Sequence, residues 1–393
     1  MDLWVQRYDD GAPVRIAIRD GRIAEIEPLP EDDSRVLPVV APAFVDLQIN
    51  GWAGQEFCSL DLTIEHVQRI VETQAAFGVV RLCPTVTTHS FETIAHGLRT
   101  IAAARRASPL LGRRILGIHL EGPYISPHDG PRGAHPIEHV RSPDWNEFRR
   151  FQDAAEGNIR LVTLSPEYPE SPDFIRRAVA SGVVVSLGHL AADSDQIKAA
   201  VDAGATLSTH LGNGCHRELR RHPNYLWDQL AEDRLTATLI ADGVHLPPAT
   251  LKTFVRAKSP ARCLLVSDVS GYAGLPPGRR PSMGGEIEIL EDGRIVVAGQ
   301  RQLLAGASRP MGLGVWNLIR LADVSYKDAF ECASLRPLEA LARWKPLEHP
   351  SATRIEIGEP ADLVLMEFDT RPGLEMSDRL KVTRTIEAGV EIY

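Results

Sequence analysis

The chain has 393 residues, 44% hydrophobic and 24% charged, an ordinary globular composition long enough for one large domain and a small one. Acidic residues outnumber basic ones 52 to 43, a net charge of −9, and the basic residues form no long run, which argues against nucleic acid as a main partner. No apolar run approaches the roughly 18 residues of a membrane span, the N-terminus lacks a signal-peptide pattern, and five scattered cysteines read as free thiols, so the expected location is the cytoplasm.

In chain order, residues 14–18 and 23–26 read as short strands around Arg19-Asp20-Gly21-Arg22, whose Asp-Gly pair marks a tight hairpin. The same style returns at 361–365 and 382–392. One small β-sandwich domain built from both termini is therefore predicted, residues 1–42 with 353–393. Between them, apolar β-branched runs recur at 44–49, 79–86, 114–120, 159–164, 183–187, 206–211, 236–240 and 263–266. Most of the intervals carry helical patterns, such as 62–77 and 194–203. Eight strands alternating with helices predict a (β/α)8 TIM barrel over 43–352, with a doubly wound open sheet as the alternative. The barrel is favoured because several strands end in His, Asp, Glu, Gln or Asn, and barrel active sites sit at those ends. Two stretches break the alternation. Asp292-Gly293 predicts a hairpin insertion near 284–300, and the Pro-, Gly- and His-rich stretch 125–142 reads as a long loop after strand three.

The chemistry lies at the strand ends. Strand one ends in Gln48-Ile49-Asn50, strand three in Glu121, strand five in His189, strand six in His210, strand seven in Asp242-Gly243-Val244-His245, and strand eight in Ser267-Asp268. One carboxylate and two imidazoles supply three ligands and leave a fourth position open for water, the usual arrangement of a catalytic zinc. Taken singly, each has a plainer reading: a hydrogen-bonded structural histidine, or Glu121 as a helix cap or ion-pair partner. Taken together, five ionisable groups at successive strand ends would be costly to bury without a common purpose. His66, His89, His96, His139 and His349 read as surface or loop residues.

The segments Phe44-Val45-Asp46-Leu47-Gln48-Ile49-Asn50-Gly51, Gly117-Ile118-His119-Leu120-Glu121-Gly122-Pro123, Gly188-His189, Thr209-His210 and Asp242-Gly243-x-His245 resemble the N-acetylglucosamine-6-phosphate deacetylases of the amidohydrolase superfamily. The match continues through Ser267-Asp268, Leu304-Ala305-Gly306 and Gly358-Glu359-Pro360-Ala361-Asp362, nearly the whole chain in order. The resemblance implies Glu121, His189 and His210 as metal ligands, Asp268 as the acid–base carboxylate, His135 as a catalytic contact and His245 as a substrate contact. Many superfamily members carry His-x-His on strand one for a second metal. Gln48 and Asn50 stand there instead, next to the substrate, and amides are poorer ligands, so one divalent ion per chain, zinc, is expected.

Around the expected phosphate site the chain departs from the family. Asn213-Gly214-Cys215 replaces Asn-Ala-Met, and Arg221-His222-Pro223-Asn224 replaces Arg-Glu-Pro-Gly. Asn213 and Arg221 survive as implied substrate contacts, and Gly214, in the altered loop, is expected to line the same site. In the family the arginine reaches the phosphate from a neighbouring subunit, which implies a homodimer. Arg217, Arg220 and Arg221 are otherwise a solvated basic patch. The expected reaction is hydrolysis of the N-acetyl amide of an amino sugar, N-acetylglucosamine 6-phosphate first among the candidates. The alternatives are a deacylase of another N-acyl amine with no phosphate requirement, or a non-catalytic binding protein on the same fold.

Overall fold

The computed structural model describes residues 1–30, 35–282, 285–349, 353–368 and 380–393. Eight parallel strands run in the order one to eight: Phe44–Ile49, Val79–Thr87, Ile118–Glu121, Ile159–Leu164, Val184–Leu187, Leu207–Ser208, Thr236–Leu239 and Cys263–Leu265. The ring closes just beyond the last strand, where Asp268 N–H donates to the Gln48 carbonyl (2.9 Å) and Asn50 N–H to the Val269 carbonyl (2.8 Å). The expected barrel is present, and the open sheet is excluded by this seam.

Both faces of the strands are buried, as their unbroken apolar runs require. Val45, Leu47, Cys83, Leu161, Val184, Leu207 and Leu264, from six of the strands, pack together with Leu338 and Leu341. A larger cluster packs other strand residues, Phe44 and Val162 among them, against the helices. The helices follow local rules. Ile64–Thr73 starts at Thr63, whose side chain accepts from the His66 N–H, and buries Val67, Ile70 and Val71 on one face. Ser194–Asp202 begins with a capping box between Asp193 and Gln196.

Strands from the two ends of the chain form one seven-stranded sheet. Val39–Pro42 lies at its centre, parallel to Asp2–Arg7 on one side and antiparallel to Leu363–Phe368 on the other. The Asp-Gly hairpin is there, with Arg19 opposite Arg22 and both turn residues at positive φ, 49° for Asp20 and 76° for Gly21. Part of the expected terminal domain, residues 369–379, lies outside the described residues.

The insertion is larger than expected. Gly278–Ser282, Gly285–Ile289, Ile295–Val297 and Gln300–Leu304 make a four-stranded antiparallel sheet, of which the Asp292-Gly293 hairpin is the middle turn. Its first strand, Gly-Arg-Arg-Pro-Ser, is half exposed and polar, so no apolar alternation marks it. The stretch after strand three is a long loop, with a single 3-10 turn at Ile137–His139.

Candidate metal centre and active site

Three donors meet at the strand ends. The Glu121 Oε1 lies 3.1 Å from His210 Nε2 and 3.3 Å from His189 Nε2, and the two imidazole nitrogens are 3.0 Å apart. All three side chains are buried, and among the described residues they are the group placed to hold a metal ion. His189 and His210 turn inward through left-handed backbone, φ 50° and 27°, as does Asp268 at 51°. Such conformations cost non-glycine residues energy, and three of them around one point indicate a constraint from function.

The second hydrogen-bonding position of His189 is already used: its Nδ1 lies 2.8 Å from the Pro131 carbonyl, which can only accept. That bond puts the proton on Nδ1 and leaves the Nε2 lone pair toward Glu121 and His210. Gly214 makes room for this ring, since a Cβ there would lie 2.8 Å from Nδ1. Burial would raise the Glu121 pKa, but hydrogen bonds and charge from His189 and His210 hold it well below the ordinary carboxylate range. Burial likewise works to lower His210, and Glu121 raises it overall. A buried carboxylate balanced only by imidazoles fits a divalent cation at their centre, and the donor set of one oxygen and two nitrogens suits zinc-like ions.

Gln48 lies beneath this group. Its Nε2 donates to Glu121 Oε1 (2.8 Å) and to Asp268 Oδ1 (3.1 Å), so the residue expected beside the substrate instead bridges two carboxylates. Asn50 Nδ2 also donates to Asp268 Oδ1, at 2.7 Å. Burial, and then the negative charge of Glu121, raise the Asp268 carboxyl to about 6. Such a group is poised to take and give a proton near neutral pH.

A cavity of about 380 Å³ opens above, walled by His135, His245, Asn213, Gly214, Asn50 and Asp268 among others. His135 stands edge-on to His189, ring centroids 4.4 Å apart, and its Nδ1 lies 2.8 Å from the Thr88 hydroxyl. Burial drives its pKa down to about 3, so the ring is neutral. His245 Nδ1 pairs with Asp242 Oδ2 at 2.7 Å, and the other Asp242 oxygen accepts the Val244 and His245 N–H groups. Asn213 is tied back to the His210 carbonyl by its Nδ2, 3.2 Å.

Arg221 is not brought to this wall; it is exposed, without an ion-pair partner among the described residues. Nor are His66, His89, His96, His139 or His349. Sequence reading did not single out Thr88, Glu56 or Ser270, which the structure places around the cavity. The Thr87-Thr88 pair at the end of strand two was the available signal, and a weak one.

Residues 39–391 match the amidohydrolase family model. The human N-acetylglucosamine-6-phosphate deacetylase is 35% identical over 89% of this chain and 87% of its own length. An N-acetylgalactosamine-6-phosphate deacetylase of Escherichia coli O157:H7 is 32% identical over 83% and 85%. A solved N-acetyl-D-glucosamine-6-phosphate deacetylase from Mycobacterium smegmatis superposes with a TM-score of 0.82 at 30% identity, covering 97% of this chain and 96% of that one. The chain belongs to the amidohydrolase family and, within it, to the N-acetylglucosamine-6-phosphate deacetylases, enzymes that hydrolyse an amide bond.

Proposed function

We propose that the chain deacetylates N-acetylglucosamine 6-phosphate, giving glucosamine 6-phosphate and acetate. The observation that carries this reading is Gln48 bridging Glu121 and Asp268, which sets an acid–base carboxylate beside a three-ligand centre. Glu121, His189 and His210 would hold one zinc ion, which when bound polarises an amide carbonyl and makes water more acidic. Asp268 accepts a proton from the attacking water as its oxygen bonds to the carbonyl carbon. It then returns the proton to the nitrogen as the C–N bond breaks, because an amine leaves far more readily than its anion. In the tautomer in which the Thr88 hydroxyl donates to Nδ1, neutral His135 presents Nε2–H to the carbonyl oxygen as negative charge develops there. His245, steadied by Asp242, and Asn213 contact the sugar phosphate.

The relatives' names support the substrate class, and the departures in the loop 212–224 are why the phosphate needs its own test. Five free cysteines agree with a reducing cytoplasm, and no helix among the described residues is long and apolar enough to cross a membrane. A homodimer completes the reading. Turnover is to be measured on N-acetylglucosamine 6-phosphate, its galactosamine epimer and unphosphorylated N-acetylglucosamine, with elemental analysis alongside. Fastest turnover of the first, with about one zinc per chain, is expected. Equal rates with and without phosphate would replace this reading with a general N-acyl amine deacylase.

A further inference from the structure

Glu56 stands on the cavity wall with no part in the chemistry above. It ends a small hairpin, Gly51–Trp52 paired with Gln55–Glu56, that follows strand one. Ala53 N–H donates to the Ala273 carbonyl (2.8 Å) and Gly54 N–H to the Gly271 carbonyl (2.6 Å), pinning the hairpin to the segment after strand eight. Two glycines allow this closeness. A Cβ on Gly51 would lie 2.1 Å from the Gln55 carbonyl oxygen, and one on Gly271 would lie 2.4 Å from Glu56 Cγ. The carboxyl arm is thus laid against bare backbone and reaches a cavity it shares with Asn50, Cys58 and Asp268.

Its neighbours on that wall are committed elsewhere. The Asn50 amide serves Asp268, and the Cys58 thiol donates to the Thr87 carbonyl at 3.2 Å. Glu56 itself accepts the Gly271 N–H, and no lysine or arginine among the described residues offsets its charge. Burial accordingly raises its pKa. A carboxylate can accept about four hydrogen bonds, so most of its capacity is unfilled where the residue lines this cavity and the neighbouring pocket shared with Cys58 and Tyr272. An occupant rich in hydroxyl donors satisfies it, whereas an apolar or acceptor-only group leaves a half-buried charge with the Gly271 N–H as its one donor among the described residues.

We propose that Glu56 is a specificity-determining residue that accepts hydrogen bonds from ring hydroxyls of the bound amino sugar, on the strand-one side of the cavity; this rests on the deacetylase reading. The first measurement is wild-type turnover of N-acetylglucosamine 6-phosphate, whose absence would overturn that reading and this proposal with it. Given turnover, the 3-deoxy and 4-deoxy analogues are compared in wild type and Glu56→Ala, with metal content checked in both. Wild type is expected to lose about tenfold or more in kcat/KM when one hydroxyl is missing, the scale of a charge-assisted hydrogen bond. In Glu56→Ala the parent substrate falls by a similar factor, and the deoxy penalty shrinks to within about threefold. An unchanged deoxy penalty in the variant overturns the role of Glu56 while leaving the deacetylase reading intact. If the alanine variant does not fold, Glu56→Gln is scored by the same ratio.

Discussion

Asn50 and Asp268 meet across the seam that closes the barrel: the amide Nδ2 donates to the carboxylate Oδ1 at 2.7 Å, while Asp268 N–H donates to the Gln48 carbonyl at 2.9 Å. Strand one therefore does two jobs for one residue, fixing its backbone and orienting its carboxylate. An amide at position 50 has an N–H₂ to give, which a metal-binding imidazole in its place would not offer in the same way.

Asp268→Asn follows from that geometry. The variant keeps the shape of the side chain and loses the ability to take a proton from water. It is expected to retain metal at the wild-type level and lose roughly 10²–10⁴ in kcat, the range for a removed general acid–base group. Steady-state kinetics with elemental analysis on the same preparation checks it. A kcat within a few-fold of wild type would remove Asp268 from the proton path.

How much of this was legible in the sequence depended on the kind of signal. Strands one and four coincide with their expected bounds, because buried parallel strands are unbroken apolar runs flanked by turn residues. Strand six was expected over 206–211 but spans only Leu207–Ser208, since the backbone turns out of the ladder at His210, φ 27°. Hydrophobic pattern reports burial and is silent on φ. Glu121, His189, His210 and Asp268 were legible because ionisable groups after apolar runs are rare. Glu56 was not, because its place depends on Gly51 and Gly271 leaving space 220 positions apart. Gln48 was legible as an amide in a ligand position, but its bridging of two carboxylates needed the three-dimensional arrangement.

Glu387, at the end of Leu380–Glu387, joins the terminal sheet to the barrel. Its two oxygens pair with Arg81 of strand two (2.9 Å) and Arg114 (2.8 Å), and Arg81 also pairs with Asp362 (2.9 Å), all of them buried. Glu387→Gln leaves the buried Arg114 guanidinium without its counter-charge and Arg81 with Asp362 alone. The expected loss is about 3–5 kcal/mol of unfolding free energy, measured by urea titration. A loss under about 1 kcal/mol would mean that water or Asp362 compensates.

Asp46, on strand one, accepts hydrogen bonds from the Ser267 hydroxyl and N–H and from the Gln48 N–H. Burial nevertheless lifts its carboxyl to about 7, against about 3.9 in an unfolded chain. The folded state then binds this proton more tightly than the unfolded state. Its contribution to stability is fully present below about pH 4 and is lost as pH rises through about 7. Asp46→Asn lacks that dependence, so the unfolding free energy of the variant should gain on wild type between those limits. Urea titrations of both proteins, metal-free in chelator, test this. A constant difference across the window would assign the proton elsewhere.

Arg221 is the residue on which the phosphate half of the assignment turns. It is exposed and absent from the wall of its own chain's cavity, so the expected role in phosphate binding is on the site of a second subunit. Arginine suits the task, because its planar fork donates two hydrogen bonds to phosphate oxygens and stays charged at any working pH. Arg221→Ala is expected to lower kcat/KM for N-acetylglucosamine 6-phosphate by about tenfold or more and to leave the unphosphorylated sugar unchanged. Complementation separates action across subunits from action within one. In a mixed dimer of Arg221→Ala and Asp268→Asn chains, one site has both an intact Asp268 and an intact Arg221 donated by the partner, so co-expression should restore activity above that of either variant alone. Loss of phosphate preference without complementation would place Arg221 on its own chain's substrate. No change in phosphate preference would return Arg217, Arg220 and Arg221 to a solvated basic patch.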